Sequence, residues 1–260
     1  MIYSDLVLCT KSYNEQDTLD WIQHYTTFNF DKITIFNNES PIDIHSLLKP
    51  YKCDIIDVPG YLDYYNLLDN YCKKSDAFWV FPIDDDEFLY LNETPTNIND
   101  FICNYEEFSG LSVNWQCLSA HNTLTRPVPS AIDYCLYGQE PIVSKEQLSS
   151  INTHIKCFVQ PSRVRNYVAQ PHIPALTAGH IVDYDKVITR DVANEKWNNK
   201  ILLYHYYIKS KEDWDKKMKR GSEGKLYPVD SSFFSTYDQV CTGYTVYDDK
   251  LKKYTDSYCR

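Results

Sequence analysis

Strand-length apolar runs separated by segments of helical period set the pattern of the first third of the chain. Residues 5–9 form a short apolar run closed by the polar turn Thr10-Lys11-Ser12-Tyr13-Asn14, and Leu19, Ile22, Tyr25 and Phe28 then recur at roughly helical spacing. Residues 32–36 are a second strand that ends at Asn37-Asn38-Glu39-Ser40-Pro41, a cluster of turn formers. A third strand is predicted at 53–58. After it, Tyr61, Tyr64, Tyr65, Leu68, Tyr71 and Cys72 fall on one helical face. A fourth, at 77–83, runs directly into Asp84-Asp85-Asp86-Glu87-Phe88. Alternating strands and helices predict β-α-β units, and so an α/β fold with a mostly parallel central sheet.

Past Glu93 the pattern changes. A short helical stretch at 98–105 and a strand at 111–115 lead into a long irregular segment, about 120–150, and loops of that length inside a compact domain are usually functional or mobile. Further strands are predicted at 155–159 and 201–204. Ser210-Lys211-Glu212-Asp213 opens a helix in the manner of a capping box, with Trp214 and Met218 on its inner face. A last helix is predicted near 248–258.

The acidic run changes the picture from fold to chemistry. Four consecutive carboxylates at the mouth of a buried strand repel one another and are costly to desolvate unless a cation neutralises them. A hard divalent ion, Mn²⁺ or Mg²⁺, is the expected partner, and such ions on carboxylates usually also hold a phosphate. In open α/β sheets ligands bind beyond the carboxyl ends of the strands, which is where this run is predicted to lie. His205, at the end of the strand 201–204, could complete a carboxylate metal site, although a lone histidine is more often structural. Lys209, Lys211, Lys216, Lys217, Lys219 and Arg220 follow it; one or two could clamp phosphate oxygens, and the rest read as a solvated helix face.

Composition narrows the classes. At 260 residues the chain suits one large domain or a domain with an appended part. A formal net charge of −10 disfavours a nucleic-acid or anionic-membrane surface, and means that a cation must accompany any phosphate bound among the acids. The cysteines number nine, an odd set with no C-x-x-C pair, which argues against a disulfide framework and against a zinc ribbon. The apolar runs are too short and too interrupted to span a membrane, and the first residues read as a strand and not as a signal peptide. A cytoplasmic protein, or one peripheral at a membrane, is the expectation.

The motifs, in their order, resemble glycosyltransferase family 92 and the related family-2-like transferases of GT-A fold. They are Lys11-Ser12-Tyr13-Asn14-Glu15 with Trp21-Ile22, Phe36-Asn37-Asn38-Glu39-Ser40, Trp79-Val80-Phe81-Pro82-Ile83-Asp84-Asp85-Asp86-Glu87-Phe88 and Val113-Asn114-Trp115. Lys156 to Val164, His172, and His205-Tyr206-Tyr207-Ile208-Lys209-Ser210 running to Lys219-Arg220-Gly221 complete the set. The resemblance implies a GT-A domain over 1–225, with a nucleotide-binding half at 1–92 and an acceptor-side, metal-completing half at 93–225. Residues 226–260 would be an extension packed on the same domain.

It further implies that Asp84 and Asp86 form the catalytic metal motif, with His205 as the third protein ligand of Mn²⁺ or Mg²⁺. Thr10, Lys11, Glu15, Asn37, Asn38, Asp84 and Asp85 would border the nucleotide, and Trp115, His121 and His172 would line the sugar and acceptor side. Lys209 and Lys211 are the candidates for the phosphates. The partners implied are a nucleotide-sugar donor, most readily a UDP-sugar, and a saccharide acceptor. Residue by residue, plainer readings stand beside these: Glu15 and Thr10 as helix-start residues, Asn38 as a turn former, Trp115 as core. No residue stands out as the base of an inverting transferase; Asp133, Glu140, Asp183 and Asp185 are all candidates. Two other activities compete, a metal-dependent nucleotidyltransferase or phosphohydrolase and a calcium-dependent carbohydrate-binding module. The first generally needs carboxylates gathered from several strands, and the second needs more oxygen ligands than this run supplies.

Overall fold

A computed structural model describes residues 2–60, 62–92, 97–139, 152, 154–167, 171–191, 200–220, 234–236, 238 and 245–258. The first part of the chain forms β1 (Ser4–Thr10), α1 (Glu15–Thr26), β2 (Lys32–Asn37), α2 (Ile44–Leu48), β3 (Asp54–Asp57), α3 (Tyr64–Lys74) and β4 (Trp79–Ile83), the alternation that the pattern predicts except for the short α2, which it does not predict. The strands lie in the order β3-β2-β1-β4 and all pair in parallel. The chain therefore winds outward from β1 to β3, and α3 then carries it back to the other side of β1. That reversal puts the end of β4 beside the end of β1, the place where open α/β sheets bind ligands.

Beyond β4 the strands are β5 (Glu87–Leu91), β6 (Gly110–Ser119), β7 (Tyr137–Gln139), β8 (Ile155–Val159), β9 (Val164–Asn166), β10 (Ala175–Leu176), β11 (Ile181–Val182), β12 (Ile188–Thr189), β13 (Ile201–His205) and β14 (Thr245–Tyr247). The helices are α4 (Ile98–Ile102), α5 (Lys211–Arg220) and α6 (Lys250–Tyr258). β8 lies between β4 and β6 and is antiparallel to both, and β13 pairs parallel with β6 and antiparallel with β5. The mixed sheet thus continues from the parallel run through β8 and β6 to β13 and β5.

β5 and β6 differ from the sequence expectation, and the short strands β7, β9, β10, β11, β12 and β14 lie outside it. β5 begins inside the acidic run, because the turn at 84–86 reverses the chain at once and Glu87 is already paired opposite His205. β6 continues to Ser119 and is buried along its whole length, although Ser112, Asn114 and Gln116 break its apolar character. Ser112 Oγ shows how such residues are accommodated, meeting the Val182 carbonyl at 3.2 Å and Thr189 Oγ1 at 2.8 Å. Of the apolar positions expected on α1, Ile22 and Tyr25 are buried with Trp21, while Leu19 is half-buried. On α3, Tyr64, Leu68 and Cys72 are buried, and Tyr61 lies outside the described residues.

The core gathers on α1, β4, β6, β8 and β13, with Trp21, Tyr25, Trp79, Phe81 and Phe158 fully buried and the Phe81 and Phe158 rings stacked at 3.8 Å. α1 also ties itself to β5 by polar contacts. Tyr25 Oη donates to the Glu87 carbonyl at 3.1 Å and accepts from the Leu89 N–H at 2.9 Å, and His24 Nε2 donates to the Leu89 carbonyl at 2.8 Å. α6 closes over this seam, its Tyr254 ring 5.5 Å from His24 and 6.3 Å from Tyr90. Among the described residues no helix is long and apolar enough to cross a membrane.

Candidate active site

Strand register explains how distant residues come to the acidic turn. β1 pairs β4 with Leu8 opposite Ile83, so Thr10 reaches the level of Asp85, and its Oγ1 donates to Asp85 Oδ2. β13 pairs β5 with His205 opposite Glu87, which sets the imidazole beside Asp86. The Val80–Val159 pairing of β4 with β8, continued along both strands, brings Lys156 next to Ile83, one residue before the acids. The turn itself is closed by the Glu87 N–H donating to the Asp84 carbonyl at 3.2 Å.

Each acid then meets a different partner. Asp86 is buried, with Oδ1 3.1 Å from His205 Nε2 and Oδ2 3.1 Å from Lys217 Nζ. Burial works against its charge, but Lys217, His205 and Lys209 outweigh that and hold its carboxyl well below the usual carboxylate range. Glu87 is wholly buried; its Oε2 accepts the Asp84 N–H at 2.8 Å, and burial pushes its carboxyl well above the usual range against the pull of Lys156. Asp84 is the most open of the three, and its Oδ2 accepts from Lys156 Nζ at 2.9 Å. Lys156 has no exposed side-chain surface and also stands 3.8 Å from Glu87 Oε2. Burial disfavours its charge, yet Asp84 and Glu87 keep it above the ordinary lysine value.

The expected metal triad is therefore not assembled. Asp86 and His205 come together, while Asp84 is turned onto Lys156, and among the described residues no three His, Cys, Asp or Glu side chains are grouped to hold a metal. A carboxylate oxygen and an imidazole nitrogen side by side still suit Mn²⁺, and the half-buried Asp84 carboxylate lies on the same short turn. Those residues fit a divalent ion in part, with the third ligand engaged elsewhere.

A solvent-open cleft with a cavity volume of about 20 Å³ lies in front of Asp85 and Asp86. Its walls are the turn after β1 with Ser12 and Tyr13, and the segment from Tyr206 into α5 with Lys209, Trp214 and Lys217. Asp17, Lys209 and Asp213, which also line the cleft, belong to a charge network of low exposure. Arg126 pairs with Asp17 and, through Nη1 at 3.0 Å, with Asp213; Lys209 Nζ donates to Asp17 at 2.6 Å; Tyr134 Oη donates to Asp213 at 2.8 Å. Burial opposes the charge on Lys209, but Asp17, Tyr13 and Asp86 more than offset it and hold the ammonium above the ordinary range.

The other sequence candidates distribute unevenly. Lys209 lines the cleft, whereas Lys211 pairs with Asp215 one helical turn on and is not among the lining residues; Lys217, on the inward face of α5, takes the place expected of it. Both amide hydrogens of Asn38 go to the carbonyls of Val58 at 2.8 Å and Gly60 at 3.0 Å, so it ties two loops together. Asn37 donates to Asp57, and Lys11 and exposed Glu15 do not line the cleft. Trp115 is only 8% exposed, packed by the imidazoles of His205 at 4.2 Å, His172 at 5.1 Å and His154 at 5.2 Å. An open stacking face for a sugar is thus replaced by a wall of rings. His172 belongs to that wall, its Nδ1 2.8 Å from the Ile155 carbonyl, and burial lowers its pKa to about 4. His121 is exposed in a left-handed turn with its ring against Tyr137. Of the base candidates, Asp133 pairs with Lys252, Asp183 accepts the Val187 N–H, and Glu140 lies outside the described residues.

Sequence reasoning gave no individual site role to Lys156, Asp17 or Arg126, and read Asp213 only as a helix-capping residue and Glu87 only as one of the acidic run. One signal was available for Lys156, a lone cation inside the apolar strand Ile155–Val159. The family model for Glycosyltransferase family 92 matches residues 70–242, more than half of the chain. No curated protein matches. Among solved structures, S. aureus TarS 1-349 in complex with UDP-GlcNAc is similar at 11% identity, covering 90% of this chain and 64% of that one with a TM-score of 0.46. Glucosyl-3-phosphoglycerate synthase from Mycobacterium tuberculosis, in complex with Mn²⁺, UDP and phosphoglyceric acid, is similar at 14% identity, covering 44% and 43% with a TM-score of 0.32. The chain spans about half of TarS 1-349, 48%, in a further comparison.

Proposed function

The chain belongs to glycosyltransferase family 92, and on that premise we propose that it moves a sugar from a nucleoside diphosphate donor, a UDP-sugar, to a saccharide hydroxyl. Membership sets aside the phosphohydrolase and carbohydrate-binding-module readings. The observation that carries the proposal is the cleft at the sheet's reversal point, whose lining brings Asp85 and Asp86 together with Lys209 and Lys217, Lys217 paired with Asp86 at 3.1 Å. Carboxylates that attract a cation, opposite ammonium groups that attract an anion, suit a metal-chelated diphosphate better than either ligand alone.

In the transfer, the bond between the sugar's anomeric carbon and the diphosphate oxygen breaks and a bond to the acceptor oxygen forms, with loss of the acceptor's proton. Negative charge grows on the departing diphosphate. Lys217 of α5, paired with Asp86 at 3.1 Å, and Lys209, held charged by Asp17, would supply positive charge to it from the cleft wall. Thr10 holds Asp85 by its hydroxyl, and the β13–β5 pairing fixes His205 against Asp86. A bound Mn²⁺ or Mg²⁺, held by Asp86 and His205, would supply Lewis-acid stabilisation of the same leaving group.

Thermal unfolding with Mn²⁺ and a panel of nucleotides tests the reading, since a ligand of the native state raises the melting temperature by linkage. UDP with Mn²⁺ is expected to raise it by several degrees. Absence of any shift with every nucleoside diphosphate in the presence of metal would remove the donor assignment.

A further inference from the structure

Lys156 is wholly buried, yet its ammonium is spent on Asp84, a half-buried acid of the turn, at 2.9 Å. The contact is built from below. β8 carries Lys156 between β4 and β6, its Nζ lies 6.0 Å from the Tyr64 ring centroid, and Glu87, also without exposed surface, stands 3.8 Å away. Glu87 in turn receives the Asp84 backbone N–H, so the main chain and the side chain of Asp84 are held by the same buried pair. Meanwhile Asp86 and His205 already stand 3.1 Å apart without it.

We propose that Lys156 is a positioning residue that competes with a divalent cation for Asp84. An ion entering beside Asp86 and His205 gains its third protein ligand only by taking Asp84 from an internal ammonium. The consequence is a site that holds metal weakly when empty of donor. A diphosphate, bringing its own oxygen ligands, would strengthen the ion's hold enough for the exchange to occur. The inference rests on the metal-assisted reading of the cleft, but it concerns affinity for the ion alone.

The test is Mn²⁺ binding to the full chain without nucleotide, followed by the electron paramagnetic resonance signal of free Mn²⁺. Lys156→Met with Glu87→Gln removes the ammonium together with the buried carboxylate it would otherwise leave unpaired, which protects folding; Lys156→Met alone is measured beside it, and circular dichroism melts accompany both. The double variant is expected to bind Mn²⁺ about tenfold more tightly than the wild type, since loss of a neighbouring positive charge and release of a carboxylate act in the same direction. Adding Asp84→Asn should abolish that gain. Unchanged or weaker binding in the folded double variant overturns the proposal, as does a gain that survives Asp84→Asn, which would place the effect in the general field and not on Asp84. No Mn²⁺ binding by any of the chains overturns it as well, and UDP binding without metal would then leave the transferase reading standing. Conversely, Mn²⁺ binding that follows the expected order in a chain that never binds UDP would support the role of Lys156 and remove the donor assignment.

Discussion

Asp84, Asp85 and Asp86 are adjacent in sequence and differ in every other respect: one faces a buried lysine, one a threonine hydroxyl, and one an imidazole and an ammonium. Only Asp86 combines burial, a depressed pKa and a neighbouring nitrogen donor that an ion could share. Asp86→Ala should therefore weaken Mn²⁺-dependent UDP binding by about a hundredfold or more, as expected when the ionised group of a hydrogen-bonded charge cluster is lost. Calorimetric titration of UDP with Mn²⁺ present checks this, and binding within a few-fold of wild type would take Asp86 out of the site. The acids could be found from sequence because they are contiguous and end an apolar run. Their partners could not, since Lys156 lies 72 residues from Asp84 and Lys217 lies 131 from Asp86, and the pairings exist only once β8 and α5 are packed. Lys209 and Lys211 look equivalent in sequence. One lines the cleft and the other, half-buried, pairs with Asp215 because α5 starts between them.

At the scale of elements, α5 matters because it carries Lys217 and Trp214 to the cleft. Its start was legible: Ser210 Oγ accepts the Asp213 N–H at 3.1 Å, and Asp213 accepts the Ser210 hydroxyl at 2.7 Å and its N–H at 3.4 Å, the reciprocal cap that the spacing predicts. Ser210→Ala is expected to cost about 1 kcal/mol in urea unfolding. What the pattern did not show is that the same Asp213 also anchors Arg126 from the irregular segment after β6, together with Asp17 from α1. Arg126 thus joins a loop to both walls of the cleft. Arg126→Met leaves two buried carboxylates with too little positive charge, so it should destabilise the fold by roughly 3–5 kcal/mol. It should also raise the KM for donor more than Ser210→Ala does, because Asp17 would no longer hold Lys209 in a fixed place. Equal effects of the two variants on KM would mean that the network serves stability alone. The described part of the segment after β6 read as irregular because it is held by contacts to distant elements, among them Arg126 with Asp17 and Asp213 and the Lys211 N–H with the Thr123 carbonyl, and not by any periodic pattern. β5 was hidden for the related reason that its first residue is an acid, stabilised only by contacts made across the sheet.

For the molecule as a whole, the seam between α1, β5 and α6 sets a pH dependence of stability. His24 has no exposed surface; its Nε2 is bonded to the Leu89 carbonyl, and its Nδ1 has no partner among the described residues. Burial lowers its pKa from 6.5 to about 4, with the Leu89 bond opposing. Between those values the unfolded chain takes up a proton that the folded chain refuses, so stability is fully present above pH 6.5 and is lost as the pH falls toward 4. For a completely buried group the loss is on the order of 3 kcal/mol. Asp5 and Glu87, whose carboxyls burial raises, act with the opposite sign over part of the same range, so the raw pH profile mixes them. Comparison with a His24→Gln variant separates them, because Gln retains a donor for the Leu89 carbonyl and cannot be protonated. In urea unfolding at pH 7 and pH 4.5, the variant should lose less stability on acidification than the wild type, while Asp5 and Glu87 cancel in the difference. If both proteins lose the same amount, the α1–β5 seam does not govern acid sensitivity, and the aromatic cage of Phe28, Phe88 and Tyr254 around His24 would have to admit the charged ring.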